Sequence, residues 1–348
     1  MSFRKGNDKI LLNIIFSNLL KESRDNLNQR FKNSFIISSY QKPLFDYISF
    51  CRHLNFIEIK KIINNTINVK SEISNIEKEI LKLFINKYTN ITHLYIPHKF
   101  NHELNLLPGV ERCFSELKSL SCNTTVKDEV LNGLTKICKS INELDLFIEV
   151  HSNNYEIVKL IETPKKLLKI RLMSDYYSEI DESFYKVLEN SLILHSNNVQ
   201  HFKITKQPIT NILSSLINLK RLELDDNFRY GLYIIVDNTL DGYGSEFSDK
   251  VIDWNSLFEI LAKSSPINLF KFKIYYQISP KSEFIKSFFD KWKGRHPMLL
   301  QFIGNQNTCK NYFDLIEKYK AEGIIKKCDD ALENTFEDFE WIQKRFNK

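Results

Sequence analysis

The sequence lacks the closely spaced cysteines that disulfide-rich secreted proteins and zinc proteins use. No Cys-x-x-Cys pair occurs in its 348 residues, and its six cysteines are Cys51, Cys113, Cys122, Cys138, Cys309 and Cys328. Such isolated thiols usually behave as small buried apolar residues, because a disulfide framework or a zinc site would need closer spacing. Since disulfides are rare in reducing compartments, we expect a cytoplasmic or nuclear protein.

Long apolar runs are absent too. No run of about 18 apolar residues exists, so we expect no transmembrane helix and no membrane partner. The segment 10–20 is fairly apolar, but Asn13, Ser17 and Asn18 interrupt it and no small-residue cleavage site follows. The sequence therefore predicts no signal peptide.

Motifs that mark catalytic or metal sites are also missing. The sequence has no Gly-x-Ser-x-Gly, no His-Glu-x-x-His and no P-loop. His93, His98 and His102 lie close together, but zinc needs three or four converging ligands and no cysteine is nearby. The segment 237–248 matches only part of a calcium-binding loop. We predict no catalytic residue, no cofactor and no metal ligand, and hence a protein that is not an enzyme.

The charge balance is close to even. The chain has 49 basic and 43 acidic side chains, which gives a net charge of +6. This excess is small for the length and does not by itself indicate nucleic-acid binding. The 43% of apolar residues is enough to form a large core.

A six-residue repeat is the strongest positive signal. In Leu219–Leu224 the first, fourth and sixth residues are apolar, and the other residues vary between copies. Further copies begin at Ile91, Leu117, Ile141, Leu167, Val199, Leu269 and Pro297. Successive copies start 26, 24, 26, 32, 20, 50 and 28 residues apart. Most of these spacings are within or near the roughly 20–29 residues of a leucine-rich repeat.

Helix-like stretches lie between the repeats, with apolar residues at three- and four-residue spacing. They include 79–85, 129–137, 181–195, 255–263 and 283–292. Strands that alternate with helices predict an α/β protein with a parallel sheet covered by helices on one side. We therefore predict an irregular leucine-rich-repeat-like solenoid of about eight strand–helix units with a helical N-terminal cap. The alternative is an ordinary α/β domain whose strands contain Leu-x-Leu.

The repeats are irregular in one respect. Regular leucine-rich repeats carry Asn or Cys three residues after the last strand leucine. Here only Asn227 fits, and the other copies have Lys99, Thr125, Glu149, Asp175, Gln207 and Gln277. The usual ladder of asparagines is therefore missing.

The two ends of the chain differ from the repeats. Residues 1–70 are expected to form the helical N-terminal cap, because terminal units must cover the core differently from internal ones. Its helices are predicted at 9–20, 44–53 and 58–67. The solenoid is predicted over 71–321, with an insertion near 226–253 where the period is lost. The amphipathic, mixed-charge segment 322–348 is expected to form a C-terminal cap.

Several segments, taken in order, resemble a large fungal family of F-box proteins. They are residues 41–54, 115–122, 133–138, 157–162 and 336–342. In that family an F-box precedes degenerate leucine-rich repeats. The F-box docks on the adaptor subunit of a cullin-type ubiquitin ligase, and the repeats hold a protein substrate. The resemblance implies a similar role here.

The chain nevertheless lacks a recognisable F-box. Residues 8–19 are similar to the first F-box helix, but no proline precedes Pro43 and no Val-Cys-x-x-Trp-like second half follows. The resemblance implies a contact with the ligase adaptor only if residues 8–41 act as a divergent F-box. Otherwise this segment belongs to the helical cap.

The variable third and fifth residues of each repeat are expected on the outer face of the sheet, because side chains alternate along a strand. In the later repeats most of them are basic: Lys169, Arg171, His201, Lys203, Arg221, Lys271 and Lys273. An earlier repeat carries the acidic pair Glu143 and Asp145. We predict that the basic residues form a surface for an acidic protein or peptide, which would mainly speed association. The alternative is that they only keep the sheet soluble.

A protein-binding role fits these patterns best. The protein would be an F-box-like scaffold that holds a protein substrate for a ubiquitin ligase. Nucleic-acid binding is a second hypothesis, but the outward positions contain one aromatic residue, Tyr95, and base stacking would need several. A hydrolase in an α/β scaffold is a third hypothesis and would require polar side chains that converge in one pocket. A decayed family copy without function is a fourth.

Overall fold

The computed structural model describes residues 2–31, 44–67, 69–149, 152–174, 181–205, 212–225, 254–276, 279–304 and 312–329. The predicted insertion near 226–253 and residues 330–348 of the predicted C-terminal cap lie outside these residues. The described part contains ten strands and twelve α-helices. The prediction of an α/β protein is therefore confirmed.

The chain divides into two modules. Within the described residues, the N-terminal module covers the chain up to Leu168 together with 181–192. The C-terminal module covers 169–174 and the described residues from Ile193 onwards.

The N-terminal module begins with helices and continues as strands that alternate with helices. Its strands are β1 His53–Asn55, β2 His93–Tyr95, β3 Ser119–Asn123 and β4 Glu143–Ile148. Its helices are α1 Ser2–Ser17, α2 Lys21–Phe31, α3 Phe56–Thr66, α4 Ile73–Phe84, α5 Val110–Cys113, α6 Asp128–Ile137, α7 Glu156–Glu162 and α8 Glu182–Ile193. Short 3-10 turns occur at Ile48–Phe50, Lys70–Glu72 and Leu104–Leu106.

The C-terminal module has the same alternation. Its strands are β5 Lys169–Ser174, β6 His201–Thr205, β7 Arg221–Asp225, β8 Lys271–Tyr276, β9 Met298–Gly304 and β10 Ile325–Asp329. Its helices are α9 Ile212–Ser215, α10 Trp254–Ser264, α11 Ser282–Trp292 and α12 Phe313–Ala321.

The strands of each module pair in parallel and in chain order, β1 to β4 in one and β5 to β10 in the other. Parallel neighbours need a crossover connection, which the intervening segments provide. Each of the eight six-residue repeats contains one strand, β2 to β9. The strand and parallel-sheet predictions are therefore confirmed. Strands β1 and β10 are two that the repeat did not predict.

The apolar positions of the repeat form the core. In the N-terminal module the fourth residues of three repeats, Leu94, Leu120 and Leu144, lie in register and are fully buried. Phe202 and Leu222 occupy the same position in the C-terminal module and are also fully buried. Burying a side chain of this kind stabilises the fold by roughly 1.5–3 kcal/mol. The fixed apolar positions thus explain why the repeat forms a sheet with one apolar, buried face.

The helices cover this apolar face with different chemistry in the two modules. In α6 the buried side chains are aliphatic and include Val130, Leu131 and Leu134. In α11 three of the four buried side chains are aromatic. The ring centroids of Phe288 and Trp292 lie 5.6 and 5.2 Å from that of Phe272 on β8. The described core is therefore mainly aliphatic around α6 and aromatic around α11.

Residues 44–53 do not form the predicted helix. They form the 3-10 turn Ile48–Phe50, and β1 follows at once. Leu44 and Phe45 are 96% and 65% exposed, so this segment lacks the buried face that stabilises an amphipathic helix. The backbone carbonyl of Arg52 accepts hydrogen bonds from the amides of Thr92 and His93 at 2.8 and 3.1 Å, which pairs the chain with β2.

Helix α1 packs on α3 and has two apolar sides. Leu12 and Phe16 are 0% and 1% exposed, whereas Ile10, Leu11 and Ile14 are 58%, 47% and 49% exposed. The amphipathic helix predicted at 9–20 therefore exists but begins earlier, at Ser2, and ends at Ser17. None of the described helices has the length and apolar character needed to cross a membrane.

Candidate functional site

The seven basic residues predicted as a partner surface all lie on one face of strands β5–β8. The register of these strands arranges them in two rows. The first row is Lys169, His201, Arg221 and Lys271, and the second is Arg171, Lys203, Glu223 and Lys273. We call these two rows the basic ladder. Because neighbouring strands lie about 4.8 Å apart, each row places four side chains within about 14 Å.

The side chains of the basic ladder are partly accessible. Lys271 is exposed, and the other basic residues are half-buried. The side chains of His201 and Arg221 are 18% and 21% exposed. Glu223 is the most buried member, with 8% of its side chain exposed. The next strand, β9, places Leu299 and Gln301 beside the two rows, so the positive charge stops at β8 within these rows.

Glu223 joins the two rows. Its Oε1 accepts a hydrogen bond from His201 Nε2 at 2.7 Å and lies 2.7 Å from Nη2 of Arg221. Charge-assisted contacts of this length are stronger than neutral hydrogen bonds. The carboxylate therefore fixes the positions of two side chains of the first row.

Burial and charge act against each other at this pair. Burial alone would raise the pKa of the Glu223 carboxyl, but the hydrogen bond from His201 and the nearby charges of Arg221 and Lys203 outweigh it, so the pKa lies well below its ordinary value. Burial also lowers the pKa of His201, although the hydrogen bond to Glu223 opposes this. Near neutral pH, Glu223 is therefore ionised and His201 is mainly neutral.

Tyr275 belongs to the same face and was missed by the sequence reasoning. It lies two residues beyond Lys273 on β8, so it points to the same side of the sheet. The ammonium groups of Lys203 and Lys273 lie 5.0 and 5.1 Å from the centroid of its ring. The signal was the alternation Lys271-x-Lys273-x-Tyr275, which continues one step beyond the six-residue repeat.

The N-terminal module carries different side chains at the equivalent positions. Its first row is His53, His93, Ser119 and Glu143, and its second is Asn55, Tyr95, Ser121 and Asp145. The imidazoles of His53 and His93 stack with centroids 3.9 Å apart and planes at 8°. Burial lowers the pKa of His53. These rows contain no lysine or arginine among the described strands β1–β4.

A hydrogen-bonded cluster includes two of the positions at which regular repeats would have asparagines. These are Thr125 and Glu149, which follow strands β3 and β4, and His98, which follows β2, joins them. His98 Nδ1 contacts Glu149 Oε1 and lies 3.2 Å from Thr125 Oγ1, and Asn123 donates to the same carboxylate oxygen. A catalytic relay would use the two different nitrogens of the imidazole for the hydroxyl and the carboxylate. Here both contacts converge on Nδ1, so the cluster ties neighbouring strand ends together and is not arranged as a relay.

The three histidines weighed as zinc ligands lie in separate environments. His93 stacks on His53, His98 contacts Glu149, and His102 Nε2 lies 2.9 Å from Glu77 Oε2. Within the described ranges, no group of three or more His, Cys, Asp or Glu side chains could hold a metal ion.

The described cysteines are free thiols, and three of them are buried. Burial raises the pKa of the Cys122 thiol to about 12, and burial also raises the pKa of Cys138. A thiol with a raised pKa is a poor nucleophile at neutral pH, because the thiolate is the reactive form. Cys122 and Cys138 therefore act as small apolar residues of the core.

Comparisons with other proteins leave the family of this chain open. No protein-family model matches the sequence, and neither the curated proteins nor the solved structures contain a match. The resemblance to fungal F-box proteins with leucine-rich repeats therefore stays a prediction.

Proposed function

We propose that the protein is a binding scaffold rather than an enzyme, and that its basic ladder binds an acidic region of a partner protein. One observation carries the proposal. The register of β5–β8 aligns six lysines and arginines, together with His201, around the single acid Glu223. A focused field of one sign raises the association rate with an oppositely charged partner.

The chemistry around Tyr275 favours an acidic protein over a nucleic acid. Single-stranded nucleic acids are bound by several aromatic rings on which bases stack. In the basic ladder no position is phenylalanine, tyrosine or tryptophan, and the imidazole of His201 is hydrogen-bonded to Glu223. The neighbouring ring of Tyr275 already has two ammonium groups about 5 Å away. Carboxylates can meet these lysines without needing the face of the ring.

Fluorescence anisotropy with labelled poly-L-glutamate and with single-stranded DNA of similar length tests the proposal. The full chain is compared with the double variant Lys203→Glu/Lys273→Glu. The matched control is Lys286→Glu/Lys291→Glu, which reverses the same charge on exposed positions of α11. We expect poly-glutamate to bind at low salt, to weaken as salt increases, and to bind the ladder variant at least about tenfold more weakly than the control variant.

Three results would overturn the proposal. The first is no binding of poly-glutamate at low salt, and the second is an equal loss of affinity in the two double variants. The third is tighter binding of DNA than of poly-glutamate at every salt concentration. The last result would move the assignment to nucleic-acid binding.

The scaffold is proposed to act as the substrate-recruiting part of an F-box-like ubiquitin-ligase subunit. Two things support this: the sequence resemblance of residues 8–19 to the first F-box helix, and the apolar side of α1. Ile10, Leu11 and Ile14 are about half exposed on that side. Exposed apolar side chains that cluster on one side of a helix are typical of a protein-binding surface.

A pull-down with the ligase adaptor tests this second part of the proposal. Because Leu12 and Phe16 of α1 are buried, deletion of the N-terminus would damage the core, and point substitutions are a cleaner probe. We expect the full chain to retain the adaptor and Ile10→Glu/Ile14→Glu to lose it. Ile267→Glu, at a position that is 72% exposed, is the control and should bind as the unmodified chain does. Absence of adaptor binding by the unmodified chain would remove the ligase role and leave a repeat-only binding protein.

A further inference from the structure

We infer that the partner segment which occupies the basic ladder is an α-helix with a stripe of acidic residues, lying across strands β5–β8. The inference rests on the proposed function and specifies the shape of the acidic region. It follows from the spacing of the rows, which the strand register determines.

The first row has a basic residue on each of four consecutive strands. Its ends are Lys169 on β5 and Lys271 on β8, three strand intervals apart. At about 4.8 Å per interval this distance is about 14 Å. A helix rises about 1.5 Å per residue, so acidic residues at i, i+3, i+7 and i+10 span about 15 Å on one side. One carboxylate can then face each strand with a mismatch of about 1 Å over the whole row.

Extended segments fit this row less well. In a strand, residues on one side repeat every second position, so four of them span about 20 Å at roughly 3.3 Å per residue. The mismatch of about 6 Å exceeds one strand interval. A polyproline II segment repeats about every 9.3 Å and would face only alternate strands. The lysines and arginine of the row lie on β5, β7 and β8, with His201 on β6. The helix can reach all three cations, whereas the polyproline II segment reaches two of them.

The second row and Tyr275 add a requirement on the partner sequence. A helix about 10 Å wide covers both rows, because neighbouring outward residues of a strand are about 6.6 Å apart. Glu223 lies in the middle of the second row and is ionised. The partner residue that faces it must therefore be neutral or basic. Tyr275 borders the two rows, and Lys203 and Lys273 lie about 5 Å from its ring. The partner residues that face these two lysines must therefore be acidic or neutral.

Three labelled peptides of about 18 residues and identical composition test the inference on the full chain. The stripe peptide has four glutamates at i, i+3, i+7 and i+10 in an Ala/Gln helix. The split peptide places two glutamates on each of two opposite sides of the same helix. The extended peptide has the same four glutamates at every second residue, and D-alanine replaces some of its L-alanine to prevent helix formation. Circular dichroism verifies the conformation of each peptide, and anisotropy measures its Kd.

We expect the stripe peptide to bind at least about tenfold more tightly than the other two. The Lys169→Ala/Lys271→Ala variant removes the ends of the first row and should abolish this preference. The control variant Lys286→Ala/Lys291→Ala should retain it. Circular dichroism of the variants shows that they are folded.

The outcomes separate the inference from the proposed function. If all three peptides bind equally and the Lys169→Ala/Lys271→Ala variant binds them all more weakly, the acidic-partner proposal stands and the helix inference falls. If the extended peptide binds best, the helix inference also falls. If no acidic peptide binds at low salt, both are overturned.

Discussion

The two modules show how one strand pattern can present two surfaces. On β1–β4 the outward rows contain histidine, serine, asparagine, tyrosine and acidic side chains, whereas on β5–β8 they contain six lysines and arginines. The inward rows are apolar and buried in both modules. Three outward residues of the first module, Ser119, Ser121 and Asp145, are 3–4% exposed, whereas the basic residues of the second module are partly accessible. This difference is the reason to look for function on the outward rows of the second module.

The interiors of the modules also differ. The helix α6 contributes aliphatic side chains. In the C-terminal module the ring of Phe288 lies among those of Phe258, Phe272 and Trp292, with centroid distances of 5.1, 5.6 and 5.5 Å. Aromatic pairs add roughly 0.5–1.5 kcal/mol beyond the burial of their area. Stability should therefore be more sensitive to truncation in the aromatic core.

The largest expected effect is the truncation of that aromatic core. Phe288→Ala removes a ring that is 2% exposed and contacts four other rings, and should lower the free energy of unfolding by about 3–5 kcal/mol. Leu134→Ala in α6, also fully buried, is the matched truncation and should cost about 2–4 kcal/mol. Urea unfolding followed by circular dichroism measures both. A larger loss for Leu134→Ala would contradict the assignment of the aromatic cluster as the more sensitive core.

Alanine substitutions at two glycines distinguish the cost of backbone strain from the cost of steric crowding. Gly109 and Gly294 have φ angles of 84° and 83°, so alanine is strained at either site by about 1–2 kcal/mol. A Cβ at Gly109 would lie 2.5 Å from the backbone nitrogen of Lys87, whereas a Cβ at Gly294 meets nothing within 4 Å. Gly109→Ala should therefore cost about 2–5 kcal/mol, because crowding adds to the strain. Melting temperatures of the two variants test this, and equal losses would show that the backbone near Lys87 yields easily.

The charge of Glu223 should matter more than that of an exposed acid in the same module. Glu223→Gln removes a carboxylate that His201 and Arg221 both contact at 2.7 Å, and should cost about 1.5–3 kcal/mol. Glu259→Gln breaks an exposed pair with Lys263 and should leave the stability nearly unchanged, because solvent screens the interaction. Chemical denaturation at pH 7 gives both values. If Glu223→Gln is as mild as the control, the buried pair is not what positions the first row.

The sequence predicted the repeating strands well because their apolar positions are determined by burial. It missed β1 although Cys51, Leu54 and Phe56 have the spacing of the repeat, because the helix predicted at 44–53 overlaps the start of this unit. It missed β10 because Cys328 follows Ile325 at the expected spacing but Asp330 replaces the last apolar residue. Strands at the end of such a series have only one neighbour, so their pattern is under weaker constraint.

The candidate site was predictable only in part. Alternation along the strand predicts that the basic residues lie on one face, and the strand register aligns them in two rows. Their role as a partner surface stays a prediction. Sequence could not show that Glu223 contacts both His201 and Arg221, because that depends on side-chain conformation and burial. The cluster of His98 and Glu149 was also beyond sequence reasoning, since it joins residues that are far apart in the chain and lie outside the repeat.

The smallest effect concerns pH and compares one histidine from each module. Burial lowers the pKa of His53 and of His201 below the ordinary value of 6.5 in the folded protein. As pH falls below about 6.5, the unfolded chain binds protons at these residues before the folded chain does, so the free energy of unfolding decreases. His53→Gln and His201→Gln should each make stability less dependent on pH between about 7.5 and 5.5, as measured by urea midpoints. A variant that keeps the full pH dependence would show that its histidine does not contribute.

Glu223 makes the two histidines distinguishable in the same experiment. The carboxylate favours the protonated form of His201, so Glu223→Gln should lower the pKa of His201 further. Acidification then lowers the free energy of unfolding by a larger amount and down to a lower pH. The reason is that His201 stays neutral to a lower pH in the folded state. His53 contacts His93 instead, so Glu223→Gln should leave its contribution unchanged. In the Glu223→Gln/His201→Gln double variant the added pH dependence should disappear, and its persistence would assign the effect to another group.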